Sequence, residues 1–229
     1  RVVMAVPFGV HAVAKRAMLN AAERAGARKV YLIEAPRAAG LGAGVPIHEA
    51  RAHMIVDVGA GTTDISVLSL ADVVVFESLK VAGEAMDAAI VDYLRKHYNI
   101  LLGSNPAEEV KIRLGALTPQ DEDETIEVPG RDFIAGRPRS IEVRSEDVRE
   151  ALAEPIQDIL HGIRRTLERT GPELSGDLMQ TGITLCGGGV LLDGLPALIE
   201  EETGLPVHVA DDPATAIVRG LDIVLEDLE

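Results

Sequence analysis

Short apolar runs alternate with amphipathic stretches along this chain. Runs of four or five apolar residues are typical of buried strands, and apolar residues at every third or fourth position are typical of helices. The first part of the chain therefore predicts, in order, a strand over 2–6, a helix over 11–25, a strand over 29–33 and a short helix over 37–41. This succession indicates an α/β layer with parallel strands.

The predicted helix over 11–25 carries an apolar stripe that should face the core. Gly26 follows its last residue and should end it. The strands on either side contain few polar residues, so we expect both to be buried, as parallel strands are. The stripe consists of Val13, Ala17, Ala21 and Ala25.

The rest of the chain continues in the same manner. Ser145 should cap a long helix, and Pro155 should kink or split it. Asp212 and Pro213 should open the last helix. The acidic segment over 118–124 is predicted to be an exposed loop. The predicted strands cover 53–56, 65–68, 73–79, 125–128, 140–143, 183–186 and 207–210, and the predicted helices cover 85–98, 106–114, 145–169 and 195–203.

A glycine-rich stretch over residues 57–64 lies between two β-prone runs and predicts a hairpin. Its glycines allow backbone conformations in which successive N–H groups converge on an anion. Asp57, where the strand ends, can hold a divalent cation. The alternative is an ordinary tight turn. The stretch over residues 57–64 is neither a P-loop nor a dinucleotide-binding fingerprint. The candidate phosphate-binding residues are Asp57, Gly59, Ala60, Gly61, Thr62 and Thr63.

Two further glycine turns strengthen the case for a ligand. Gly83 and Glu84 precede a predicted helix, whose first N–H groups attract anions. Gly187, Gly188 and Gly189 follow a predicted buried strand. Each turn alone is weak evidence. Three of them at strand or helix ends predict a nucleotide site.

Composition excludes several classes of function. The net charge of −15 argues against nucleic acid, because phosphate backbones require clustered Lys and Arg. The one cysteine, Cys186, cannot form an internal disulfide. The six histidines lack metal-binding spacing, and no apolar run is long enough to span a bilayer.

The glycine motifs resemble those of the actin-like ATPase superfamily, which groups actin, Hsp70 chaperones and sugar kinases. Within it the chain is similar to the MreB family of bacterial actin homologues. The hairpin turn is locally similar to MamK, the magnetosome actin. The segments that carry the resemblance are residues 31–36, 57–64, 107–115, 128–132, 136–139 and 187–194.

The resemblance implies ATP and Mg²⁺ as ligands. Asp57 would belong to the Mg²⁺ shell, and Gly59, Gly61 and Thr62 would cradle the phosphates. Glu34 would orient the attacking water, or else cap the following helix. Glu108 and Lys111 would hold the ribose and the adenine, and Gly188 and Gly189 would approach the adenosine and the phosphates. Alternatively, Glu108 and Lys111 form a solvated pair on one helix.

The fold implied is α/β, an actin-like (ribonuclease H-like) ATPase fold without the N-terminal part of its first lobe. The superfamily's first phosphate motif, Asp-x-Gly-Thr, is absent, and the chain starts at Arg1. We expect either a fragment of a competent protein or a short form that lost hydrolysis. The predicted parts are 1–50 (first lobe), 51–104 (nucleotide-binding part of the second lobe), 105–143 (insertion subdomain) and 144–229 (completion of the second lobe).

The resemblance further implies a cytoskeletal ATPase that forms filaments and organises cell shape. Its partners would be copies of itself and membrane-associated cell-shape proteins, with no nucleic acid. The location would be the cytoplasm, at the inner face of the cell membrane. The alternatives are an Hsp70-like nucleotide switch, a non-hydrolysing actin-like structural module and a MamK-like role.

Overall fold

The computed structural model describes residues 1–119 and 124–228. The tip of the predicted acidic loop, residues 120–123, lies outside them. The strands are β1 (Val2–Val6), β2 (Val30–Glu34), β3 (His53–Val58), β4 (Thr63–Ser69), β5 (Asp72–Leu79), β6 (Ile100–Leu101), β7 (Thr125–Asp132), β8 (Pro138–Arg144), β9 (Ile183–Cys186) and β10 (Val207–Val209).

Helices lie between these strands. They are α1 (Ala12–Arg24), α2 (Ala35–Gly42), α3 (Gly83–Tyr98), α4 (Ser104–Leu114), α5 (Ser145–Arg169), α6 (Pro172–Thr181), α7 (Leu195–Thr203) and α8 (Ala216–Asp227), with short 3₁₀ turns at Gly188–Leu191 and Pro213–Thr215. Within residues 1–119 and 124–228, no helix is both long and apolar enough to cross a membrane.

Within the described residues, the strands form three sheets. The central sheet has the order β10-β9-β3-β4-β5, in which β9 is parallel to β3 and β4 is antiparallel to it. Strands β1 and β2 form a parallel pair, and β6, β7 and β8 form an antiparallel sheet. The predicted parallel layer and both antiparallel hairpins are therefore present.

The main hydrophobic core lies on one face of the central sheet. Ile65 of β4 and Ile90 of α3 are almost fully buried in it, as are Leu152, Ile159 and Ile163 of α5. These three residues recur at helical spacing, so one apolar face of α5 lies against the core. Strand β3 belongs to this sheet, so its packing against the core holds the end of β3, and with it the start of the hairpin turn, in place.

Helices α2 and α8 cross at glycines on the other face of the sheet. A Cβ added to Gly220 of α8 would overlap the backbone carbonyl of Ala38 in α2. Likewise, a Cβ on Gly42 would overlap the carbonyl of Ala216. The two helices can therefore approach this closely only because each has a glycine at the crossing.

Gly220→Ala is expected to lower the free energy of unfolding by about 1–3 kcal/mol, because the added methyl group forces the helices apart. Chemical denaturation measures this. Gly176→Ala in α6 is the matched control, since no heavy atom of the described residues outside its chain neighbours and its own helix backbone lies within 4 Å of its added Cβ. The control should be neutral or slightly stabilising. Equal losses in the two variants would contradict the close crossing.

Several local predictions were wrong. The stripe of α1 is exposed, with Val13 at 83%, and α1 has no buried residue. Strands β1 and β2 are mostly half-buried. Arg144, rather than Ser145, is the N-cap of α5, because the Asp147 carboxylate accepts the N–H of Arg144 at 2.9 Å. Pro155 does not split α5, which is continuous over 25 residues.

Candidate functional site

The turn between β3 and β4 forms one wall of a cleft. The Gly59 N–H donates to the Thr62 carbonyl at 2.9 Å and closes the turn. Among residues 1–119 and 124–228, the N–H groups of Ala60, Gly61 and Thr62 donate to no backbone carbonyl. Successive uncommitted N–H groups in a tight turn are the arrangement that binds phosphate oxygens.

The start of α3 is attached to this turn. The Gly83 N–H donates to the Gly59 carbonyl at 3.2 Å, and the Glu84 N–H donates to the Ala60 carbonyl at 2.8 Å. The expectation that these two N–H groups are available to an anion was therefore wrong. Their role is to hold the turn in place against the helix.

The third turn follows β9 and passes directly over β3. Gly187 has a φ of +85°, and its N–H donates to the Pro213 carbonyl at 2.7 Å. A Cβ at Gly187 would overlap the Val58 carbonyl and the Asp57 carboxylate. Only glycine allows this conformation and this close approach.

The three turns open onto one cleft of about 1060 Å³. Most of the predicted ligand-binding residues line it: Asp57, Gly59, Ala60, Gly83, Glu84, Glu108, Lys111, Gly187, Gly188 and Gly189. The glycine motifs and the family resemblance did not indicate a binding role for the other lining residues: Met86, Asp87, Ser104, Asn105, Ile112, Gly115, Leu191, Leu192, Ala214 and Ile217. Helical spacing would have found two of them, because Asp87 follows Gly83 by one turn and Ile112 follows Glu108.

Four predicted residues do not line the cleft. Gly61 and Thr62 are exposed at the tip of the turn. Thr63 is fully buried, and its hydroxyl donates to the Val81 carbonyl at 2.7 Å, so its predicted phosphate contact was wrong. Glu34 is the N-cap residue of α2 but makes no capping hydrogen bond, and its carboxylate lies 3.8 Å from the Lys15 ammonium.

Asp57 is electrostatically unusual. Burial, and then the charge of Asp64 directly opposite on β4, raises the pKa of the Asp57 carboxyl to about 6. A carboxylate that is costly to ionise without a partner is one that a cation would stabilise. Among the described residues, no three His, Cys, Asp or Glu side chains form a metal cage. A single carboxylate beside a phosphate site is a donor set that Mg²⁺ accepts, because it uses one or two carboxylates and keeps its water and phosphate ligands.

Lys111 is not a solvated partner of Glu108. Its ammonium lies 2.8 Å from the Asp87 carboxylate and donates to the Gly83 carbonyl at 3.1 Å. The Lys111 side chain is only 14% exposed. The alternative of a solvated pair on α4 is therefore wrong for Lys111.

Cys186 should be inert in the folded protein. Burial, and then the negative charge of Asp57, raises the pKa of the Cys186 thiol to about 12. We expect a thiol reagent at pH 8 to modify the native chain at least about 100-fold more slowly than the chain in guanidinium chloride. Equal rates would show that the strand is open to solvent.

Known proteins with similar sequences belong to one family. The family model described as MreB/Mbl protein matches residues 1–229. MreB of Escherichia coli K12 is 44% identical over 229 residues, which are 100% of this chain and 66% of that protein. Mbl of Bacillus subtilis 168 is 39% identical over 100% of this chain and 69% of its own length.

Two solved structures share the fold. The crystal structure of MreB 5 of Spiroplasma citri bound to AMPPNP superposes with a TM-score of 0.95 at 36% identity, over 99% of this chain and 68% of that one. The MamK double helical filament gives 0.80 at 27% identity, over 99% and 69%. These matches and the cleft define an actin-like ATPase fold. The chain belongs to the MreB/Mbl family.

Proposed function

We propose that this chain is an MreB-like cytoskeletal protein that binds ATP with Mg²⁺ and forms filaments that organise cell shape. Slow ATP hydrolysis would accompany polymerisation. The observation that carries the proposal is the convergence of three glycine turns on one cleft. The similarity to MreB 5 bound to AMPPNP supports it.

The phosphates would bind at the turn after β3, where Ala60 lines the cleft. The exposed N–H groups of Gly61 and Thr62, which donate to no described backbone carbonyl, would contact them from the tip of the turn beside the cleft. Asp57 would hold Mg²⁺, which would neutralise charge on the phosphates. The adenosine would lie between α4, which carries Glu108, and the turn at Gly188 and Gly189, since all of these line the same cleft.

The charges that line the cleft support the proposal that a cation accompanies the nucleotide. Among the cleft-lining residues that the structure describes, the acidic ones are Asp57, Glu84, Asp87 and Glu108, and the basic one is Lys111. A nucleotide triphosphate would meet net negative charge there. We therefore expect ATP to bind far more weakly when Mg²⁺ is removed by a chelator.

Glu34 would orient the water that attacks the γ-phosphate. It stands at the carboxyl end of β2, directly opposite Val6 in the parallel pair. Ligands of α/β folds commonly bind beyond the carboxyl ends of parallel strands. For this role the Glu34 carboxylate would leave the Lys15 ammonium and contact the attacking water instead. Glu34→Gln should then reduce hydrolysis and leave ATP binding unchanged.

The proposal also covers assembly of the chain with copies of itself and the position of the filament in the cell. The similarity to the MamK double helical filament supports a filament of identical subunits. Membrane-associated cell-shape proteins would be the other partners, and the filament would lie in the cytoplasm at the inner face of the membrane. The division at residues 50, 104 and 143 stays a prediction. The separate sheet of β1 and β2 supports the boundary at residue 50, whereas β6 pairs with β7 across the boundary at residue 104.

Two measurements on the wild-type chain test the proposal. Equilibrium titration with ATP in excess Mg²⁺ should show saturable binding that EDTA abolishes. Sedimentation with ATP and with ADP should show nucleotide-dependent pelleting. Binding without pelleting would favour an Hsp70-like switch over a filament. Failure of a folded chain to bind ATP would refute the proposal.

A non-hydrolysing structural module is the second candidate. The observation that favours it is the position of Glu34, which pairs with Lys15 and is not among the residues that line the cleft. Single-turnover hydrolysis of bound ATP separates the two candidates. Product formation that Glu34→Gln abolishes would support the ATPase, and binding with no product would support the structural module.

A further inference from the structure

We infer that Asp87 is a positioning residue of the nucleotide cleft. Its carboxylate holds the ammonium group of Lys111 against the carbonyl of Gly83 and thereby fixes α4, one wall of the cleft, to the first turn of α3. The inference rests on the proposed function in one respect, namely that the cleft binds a nucleotide.

The contacts around Lys111 are short and sheltered. Its Nζ atom lies 2.8 Å from Oδ1 of Asp87 and 3.1 Å from the oxygen of Gly83. The side chains of Lys111 and Asp87 are only 14% and 13% exposed. Gly83 and Asp87 lie four residues apart on α3, so both face the same direction and meet one ammonium group. Such a pair is weakly screened by salt.

The connection continues from α3 into the phosphate turn. Gly83 accepts from Lys111 through its carbonyl and donates to Gly59 through its N–H. The Glu84 N–H donates in turn to the Ala60 carbonyl. The turn, the start of α3 and the wall formed by α4 are therefore joined by consecutive hydrogen bonds. Asp87 supplies the charge that holds Lys111, the last member of this series.

The pair also determines what Lys111 does. Because the Asp87 carboxylate neutralises the ammonium group, Lys111 contributes no net charge toward a triphosphate. Its contribution is instead geometric, since it sets the separation between α3 and α4 on the adenosine side of the cleft. Loss of Asp87 would free the ammonium group and let α4 shift, while the phosphate turn keeps its own hydrogen bonds to Gly83 and Glu84.

A double-mutant cycle on the full chain tests this role. The variants are Asp87→Asn, Lys111→Met and the double variant, and the probes are Mg·ATP and Mg·tripolyphosphate. Each single variant should weaken ATP binding about tenfold. The double variant should also lose about tenfold rather than a hundredfold, because both changes break one interaction. Tripolyphosphate, which needs only the turn, should bind within about twofold of wild type.

Asp92→Asn is the matched control, because Asp92 lies on the same helix in an ion pair with Arg95 whose side chains are 46% and 56% exposed. It should leave ATP affinity unchanged. Thermal melting of every variant shows whether it is folded. If a single variant unfolds, the double variant, which lacks both charges of the pair, can still be compared with the wild type.

Three outcomes would overturn the inference. Multiplicative losses that total about a hundredfold would show that Asp87 and Lys111 act independently. Unchanged ATP affinity in Asp87→Asn would show that the pair only stabilises the fold. Either result leaves the proposed function intact if wild type binds ATP. Absence of ATP binding by the wild type would overturn both.

Discussion

Replacement of Asp57 by Asn should weaken Mg·ATP binding by about 10- to 100-fold, the range found when groups that support a bound metal are removed. The carboxylate lies at the end of β3 and lines the cleft, where the other ionised groups are mostly acidic. Without that charge, the cation would lose a carboxylate that holds it directly or through its water ligands. Titration calorimetry with Mg·ATP measures the change.

The same substitution should make the nucleotide-free chain more stable. The folded-state pKa of Asp57 is raised from 3.8 to about 6, so the folded chain binds more protons than the unfolded chain between these values. Ionisation of Asp57 therefore lowers the free energy of unfolding as pH rises from about 4 to about 6. Two pKa units set an upper bound of about 3 kcal/mol. Because water reaches part of this site, we expect Asp57→Asn to add about 1–2 kcal/mol at pH 7.

The pH dependence of binding follows from the same pKa. Mg²⁺ requires the ionised carboxylate, so the affinity ratio of wild type to Asp57→Asn should increase as pH rises from 5 to 7 and then level off. Protonation of ATP itself affects both proteins and cancels in the ratio. Asp72→Asn, at the exposed start of β5, is the control and should change neither binding nor stability. A pH-independent ratio would contradict the role of Asp57.

Gly187→Ala should lower the free energy of unfolding by about 2–5 kcal/mol and remove measurable ATP binding. The residue has a φ of +85°, which costs an L-residue about 1–2 kcal/mol, and its new methyl group would overlap the Val58 carbonyl and the Asp57 carboxylate. The turn would have to leave β3, and the cleft would lose one wall. Thermal and denaturant unfolding measure the first effect.

The neighbouring glycine provides the control. Outside its chain neighbours and its own 3₁₀ turn, no heavy atom of the described residues lies within 4 Å of a Cβ added to Gly188, and the φ of Gly188 is not positive. Gly188→Ala should therefore unfold at the wild-type temperature, whatever its effect on the ligand. If both variants were equally destabilised, the loss would reflect general sensitivity of the turn rather than the approach of Gly187 to β3.

The order of the elements could be predicted from the sequence because apolar periodicity reports directly on burial. The stripe of α5 from Val148 to Ile163 marks a helix whose core contacts lie within this chain. The residues that line the cleft could be predicted wherever a glycine turn followed a strand or preceded a helix. These features depend on a few neighbouring residues, which the sequence displays.

Features that depend on distant partners could not be predicted. Alanines occur on both buried and exposed faces of helices, so their regular spacing in α1 does not show which face is buried. The stripe from Val13 to Ala25 is in fact exposed. Ser145 is a good capping residue, but the Asp147 carboxylate caps the helix from one turn further on and Ser145 donates to the Glu124 carbonyl instead. Asp87 contacts a lysine 24 residues away, and no local pattern indicates such a contact.

Hydrogen–deuterium exchange with and without Mg·ATP tests the location of the site most directly. We predict that ATP slows exchange in residues 57–63 and 187–191, in the first turn of α3 and around Glu108 and Lys111. The tip of the β7–β8 hairpin, residues 133–137, should be unaffected. Protection confined to other segments, or no protection in a folded chain at saturating Mg·ATP, would contradict a nucleotide site between these three turns.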